Sequence, residues 1–224
     1  MTKKIIFRLK DPGSAITHFI GFLLAATASI PLMIRAVLTK DSILIFSFAA
    51  FIFSMMLLYA ASTTYHSIDG SERINKLLKK WDHMMISIMI AGSYTPICLI
   101  VLKNQNGFRL FILVWSFALL GVLLKAFWVF CPKIISSILY IVMGWLCVLA
   151  LPEIYHALPS PAFAWLLAGG IFYTIGGIIY ALKPASFNQR HPYFGTHEIF
   201  HVFVMAGSIC HFIVMFCFVS HMQR

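Results

Sequence analysis

Seven long apolar runs joined by short polar linkers predict an all-α integral membrane protein, a seven-transmembrane helix bundle. Composition supports this: 61% of the 224 residues are hydrophobic and 11% are charged, where a soluble domain carries about 25% charged residues. The polar residues gather between the runs, and each run approaches the roughly 20 residues that cross a bilayer as a helix. The runs cover about 15–36, 43–65, 83–102, 108–130, 134–151, 161–182 and 198–220. The basic segment before Ala15 lacks a signal-peptide core and no cleavage site follows, so the first run is expected to stay as a helix. The longest linkers, about 66–82 and 183–197, are rich in polar residues, and residues 1–224 read as a single domain without a repeat of fixed period. Pro31, Pro96 and Pro152 lie within or at the end of runs, where they kink or end helices if the freed carbonyls find partners. Cys98, Cys131, Cys147, Cys210 and Cys217 form no CxxC pair and read as small apolar residues of the bundle.

The formal net charge of +10 does not indicate nucleic-acid binding, because no soluble domain is left to display a basic face. The cations instead set topology and meet anionic headgroups of the lipid bilayer. With seven crossings, one side holds Lys3, Lys4, Arg8, Lys10, Arg73, Lys76, Lys79, Lys80, Lys125, Lys133, Lys183 and Arg190. The other holds only Arg35, Lys40, Lys103, Arg109 and Arg224. The expected orientation is therefore N-terminus cytoplasmic and C-terminus outside.

Ionisable groups at membrane depth are costly and point to function. Ser62 and His66 end the second run four residues apart, on one helical face. Trp81-Asp82-His83 is expected to open the third helix. His197 and His201, also four apart, open the seventh. The topology brings these segments to the same cytoplasmic depth, delivering three histidines and an acid. Three neutral imidazoles with an open fourth position make a catalytic-type zinc site. There Asp82 could hold a water or orient a ligand, and Ser62 could hydrogen-bond the water or a substrate oxygen. The plainer alternative is interfacial histidines satisfied by headgroups and loop carbonyls. His197-Glu198-Ile199-Phe200-His201 also matches H-E-x-x-H, with Glu198 as base, but Val204 and Gly207 break the longer metzincin pattern. Glu198 could equally serve the helix dipole. His18 lies on the cytoplasmic side of the first helix, and His211 lies deeper on the stripe of His197. His83 is expected to point about 100° away from Asp82. His156, His191 and His221 read as solvated. Tyr94-Thr95-Pro96 is expected to mark a cavity wall.

Taken together, Ser62-x-x-x-His66, Asp82, Gly92-Ser93-Tyr94-Thr95-Pro96 and His197-x-x-x-His201 resemble the hemolysin III family, grouped with progestin and adipoQ receptors and more distantly with alkaline ceramidases. The resemblance covers nearly the whole chain from Ile16-Thr17-His18. It implies a seven-helix fold, zinc on His66, His197 and His201, and Asp82 and Ser62 beside the metal. Asp11-Pro12-Gly13-Ser14 departs from the family's acidic-then-Asn pattern, which weakens what the resemblance implies for the first helix. Three functions remain open: a zinc-dependent hydrolase of a ceramide-like lipid amide or ester, a pore-forming cytolysin, and a receptor or sensor with structural zinc. In a bacterial source the location is the inner membrane.

Overall fold

Helix boundaries in this chain follow from local capping as much as from hydropathy. The computed structural model describes residues 9–103, 106–182, 184–191 and 194–222, and among them every regular element is helical. Helix α1 (Pro12–Leu38) places proline in its first turn, where a missing N–H costs nothing. Helix α2 (Ser42–Ser67) starts where the Asp41 carboxylate accepts from the N–H groups of Ile43 and Leu44. Helix α3 (Glu72–Pro96) starts where Ser71 accepts from the Ile74 N–H, with Glu72 in the first turn. The third helix therefore begins about three turns before the expected position 83. Its first turns carry Arg73, Lys76, Lys79 and Lys80, so an apolar-run criterion passes over them. Asp82 and His83 lie inside α3 rather than at its entry.

After Pro96 the chain continues through a π turn, Ile97–Val101, the adjustment expected where a proline removes a backbone donor. Helix α4 (Gly107–Phe127) is unbroken. The fifth span is broken: α5 (Lys133–Trp145) passes through a 3₁₀ stretch, Leu146–Ala150, into α6 (Leu151–Ala157), with Pro152 in its first turn. The span thus reaches Ala157 rather than ending near 151. Helix α7 (Ser160–Leu182), a short α8 (Ala185–Arg190) absent from the sequence expectation, and α9 (Thr196–Cys217) complete the chain. Among the described residues seven helices are long and apolar enough to cross a membrane, and the protein is a multi-pass integral membrane protein. Of the cations used to assign sidedness, Lys3, Lys4, Arg8, Lys183 and Arg224 lie outside the described residues.

The main packing partners are α2 with α3, α7 with α9, α1 with α2, and α3 with α4. Gly92 lets α2 and α3 approach closely, since a Cβ there would sit 2.0 Å from Ser54 Oγ and 2.8 Å from the Ala50 carbonyl oxygen. Phe48, Phe51 and Ile52 are buried in the interior, whereas Phe19, Leu23, Leu24, Ile30 and Ile34 of α1 face outward. Without water, that outer surface suits lipid. Ser208 of α9 joins three helices: its hydroxyl donates to the Val204 carbonyl at 3.0 Å and lies 2.7 Å from Tyr59 Oη and 3.0 Å from Tyr173 Oη.

The break in the fifth span has an identifiable support. Tyr94 donates to the Gly144 carbonyl at 2.5 Å, and its oxygen accepts from the Cys147 N–H at 2.9 Å. One hydroxyl from α3 thereby bonds two backbone groups at the break, one in α5 and one in the 3₁₀ stretch. Tyr94→Phe keeps the ring and removes both bonds, so it is expected to cost about 1–3 kcal/mol. A lowered Tm of the detergent-purified protein, with helical circular dichroism retained, is the check.

Candidate metal centre

Three helices bring their polar residues to one end of the bundle. His66 arrives on the last turn of α2, His197 and His201 on the first turns of α9, and α1 begins beside them. The two α9 histidines share a face because they are four residues apart. Ligand-capable atoms of His66, His197 and His201 all lie within 4.8 Å of one another. Nε2 of His197 is 3.1 Å from Nε2 of His66. The His201 ring lies 4.5 Å from that of His197 and 5.5 Å from that of His66, centroid to centroid.

Hydrogen bonding fixes which nitrogens face inward. His66 Nδ1 lies 2.9 Å from Asp11 Oδ2, and a carboxylate can only accept, so Nδ1 carries the proton and Nε2 presents its lone pair. Thr17 Oγ1 donates toward the Gly13 and Ser14 carbonyls at 2.9 and 3.0 Å. Its contact with His201 Nδ1 at 3.0 Å is therefore one in which it accepts, and His201 too presents Nε2. This pattern of outer partners is characteristic of metal-ligating histidines. Tetrahedral coordination at the usual Zn–N length separates ligand nitrogens by about 3.3 Å, close to the spacing of His66 and His197. The residues present fit a zinc ion.

Asp11 was given no role in the sequence, yet it makes a double clasp. Its backbone N–H donates to the His66 carbonyl at 2.9 Å while its carboxylate holds the same residue's ring. As a result Asp11 makes no side-chain bond to cap α1. The His66 hydrogen bond holds its carboxyl below the ordinary range, outweighing the opposite effect of burial. Glu198 is committed to structure: Oε2 accepts from the Gly195 N–H at 2.8 Å, and Oε1 accepts from Ser14. It caps α9 and ties it to α1, an arrangement that leaves it unsuited to the zincin base. Asp11, Ser14 and His18 recur at helical spacing, and that polar stripe was the available signal for the first helix.

Asp82 and Ser62 both line a cavity that runs below the histidines, with about 140 Å³ of free volume. Asp82 is buried, and its Oδ2 is 2.7 Å from His83 Nδ1, so His83 faces its neighbour and does not turn away. Ser62 Oγ is buried without a hydrogen-bond partner among the described residues, as are both ring nitrogens of His18. The His18 ring stacks on His201, 3.4 Å between centroids and 12° between planes. His211 lines the far end, 3.3 Å from the Leu166 carbonyl. Tyr94 forms part of the wall, as expected, whereas Thr95 and Pro96 do not line it. The lining is otherwise mostly apolar, and at Gly144 of α5 and Gly170 of α7 an added Cβ would meet open space.

A second, wider cavity of about 490 Å³ shares His83, Tyr180 and His197 with the first. It also reaches Lys79, Lys125, Cys131 and Ser136. Cys131 is not a plain packing residue: its Sγ lies 3.0 Å from Lys125 Nζ and 3.2 Å from Ser136 Oγ. Burial raises the thiol pKa, but the bonds to Ser136 and Lys125 outweigh it and the net direction is downward.

Fold and centre together define a class: a seven-helix membrane protein with a buried histidine cluster at one end of the bundle. The chain belongs to the hemolysin III family, whose model, described as Haemolysin-III related, matches residues 8–212. It is 39% identical over 215 residues to the hemolysin-3 homolog of Bacillus subtilis, covering 95% of this chain and 97% of that protein. Hemolysin-3 of Bacillus cereus is 36% identical over 219 residues, covering 98% and 96%. The adiponectin receptor protein of Drosophila melanogaster is 24% identical over 237 residues, covering 93% of this chain and 51% of that protein.

The outer partners give a direct test. Asp11→Asn and Thr17→Val are each expected to weaken zinc retention 10–100-fold, and His66→Ala to abolish it. Competition against a chromogenic chelator measures all three.

Proposed function

We propose that the protein is a zinc-dependent hydrolase of a lipid amide or ester, with His66, His197 and His201 holding the metal. The observation that carries this reading is the junction of a convergent imidazole triad with a narrow, mostly apolar cavity that contains buried, unpartnered polar atoms. Such atoms are costly unless a ligand meets them. A zinc ion on three neutral imidazoles would supply Lewis acidity, activating water and polarising a carbonyl.

The remaining work falls to this chain's own side chains. One oxygen of Asp82 is held against His83, and the other accepts a proton from the attacking water and returns it to the leaving amine or alkoxide. Ser62 Oγ–H donates to the substrate oxygen as charge builds there. The apolar cavity takes the acyl chain and keeps bulk water from the reacting carbonyl. The open ground at Gly144 and Gly170 lets that chain pass between α5 and α7. On the positive-inside expectation from the sequence, this end of the bundle faces the cytoplasm, level with lipid headgroups.

Turnover of a ceramide and of its ester analogue by purified protein tests the reading. His197→Ala is expected to abolish hydrolysis, and Ser62→Ala to lower kcat by about 10²–10³. Removal of zinc should stop turnover and its return should restore it. Equal turnover by wild type and His197→Ala would sink the proposal.

A second reading, membrane lysis, rests on the name of the Bacillus cereus relative. It predicts that purified protein lyses red cells and that His197→Ala lyses them equally well. Lysis that disappears with His197 would return the effect to the centre.

A further inference from the structure

The wider cavity has two walls of opposite character. On one, Asp11 is engaged with His66 and Glu198 with Ser14 and Gly195. On the other stand Lys79 of α3 and Lys125 of α4, with Ser136 of α5. Lys125 is only 2% exposed and Ser136 1%. The Lys125 ammonium donates to Ser136 Oγ at 2.5 Å and to Cys131 Sγ at 3.0 Å. Neither lysine has a carboxylate within 4.0 Å among the described residues. Lys79 packs its ammonium 4.4 Å from the Phe130 ring centroid, and its charge is repelled by that of Lys125 and attracted by that of Asp82.

A buried ammonium is costly unless a counter-charge or a full set of acceptors meets it. Ser136 and Cys131 use two of the three Lys125 donors. If Cys131 ionises it offsets one positive charge, and Asp82 acts on Lys79 only from beyond ion-pair distance, its own carboxylate being held against His83. Two like cations lining one water-accessible space, with the Ser136 hydroxyl bonded to one of them and the nearby acids engaged elsewhere, call for a multivalent oxyanion. A phosphate offers up to two negative charges and several acceptor oxygens, which suits two ammoniums.

We propose that Lys79, Lys125 and Ser136 form a binding site for a phosphate group in the cavity beside the histidine centre. The site needs neither turnover nor bound metal, so it stands or falls separately from hydrolysis. A phosphate can arrive on a lipid headgroup or free in solution, and both present the same chemistry to these residues.

Thermal unfolding of full-length protein in detergent, with three added probes, provides the test: short-chain phosphatidic acid, diacylglycerol of the same chain length, and inorganic phosphate. The phosphatidic acid is expected to raise Tm by several degrees in a saturable manner, and diacylglycerol to leave it unchanged. Lys79→Ala and Ser136→Ala, which keep the buried Lys125 in place, are each expected to weaken the apparent affinity about tenfold or more. A shift with phosphatidic acid alone assigns the site to a lipid headgroup; an equal shift with inorganic phosphate, lost in the same variants, assigns it to the free anion. Three results overturn the proposal: equal shifts with diacylglycerol and phosphatidic acid, unchanged affinity in both variants, or no shift with either phosphate probe. Loss in His197→Ala with Lys79→Ala and Ser136→Ala unaffected places the anion on the histidines and also overturns it.

Discussion

Three imidazoles in a weakly polar bundle must present bare nitrogens to a single point, and much of this end of the molecule is arranged to meet that demand. A neutral histidine has one donor and one acceptor nitrogen, so its inward face is set by what its outward face touches. Asp11 does this for His66 by being an acceptor only. Thr17 does it for His201 less directly, because its own proton is already given to the carbonyls of its preceding turn. Both outer partners come from the start of α1, and Glu198 secures that segment to α9. The first helix thus controls a cluster to which it gives no member of the triad.

The same economy holds deeper in the bundle. Tyr94 closes the break in the fifth span, and Ser208 links α2, α7 and α9 through a single hydroxyl. These two hydroxyls each serve more than one neighbour, as suits an interior where an unsatisfied group cannot turn to water. Other buried polar atoms have no hydrogen-bond partner among the described residues: those of Ser47 and Ser87 lie away from the cavity, whereas those of Ser62, His18 and Ser137 lie against it, where a bound molecule has access to them.

Much of this was legible in the sequence. The seven spans follow from hydropathy, because the bilayer dictates length and apolarity together. The triad follows from two i, i+4 pairs once helix direction places their ends on one side. What stayed hidden had specific causes. The start of α3 at Glu72 is set by the Ser71 cap and covered by basic residues that an apolar window rejects. The contact of His83 with Asp82 depends on side-chain rotamers, which helical angles alone do not give. The role of Asp11 requires knowing that the chain entering α1 folds back on the end of α2, a tertiary fact with no local signature. The Lys125, Cys131 and Ser136 cluster spans the α4–α5 turn, and counting cations for topology treats its lysine only as a charge.

The sequence distance between the members of the centre bears on how the protein is made. His66 and His197 are 131 residues apart, and the four spans from α3 to α7 separate α2 from α9. During synthesis the Asp11–His66 clasp can close as soon as α1 and α2 lie side by side in the membrane. The α9 residues reach them only after the intervening spans have inserted with the correct sidedness. One misplaced span would deliver His197 and His201 to the opposite leaflet, so assembly of the histidine cluster reports that membrane insertion has been completed correctly.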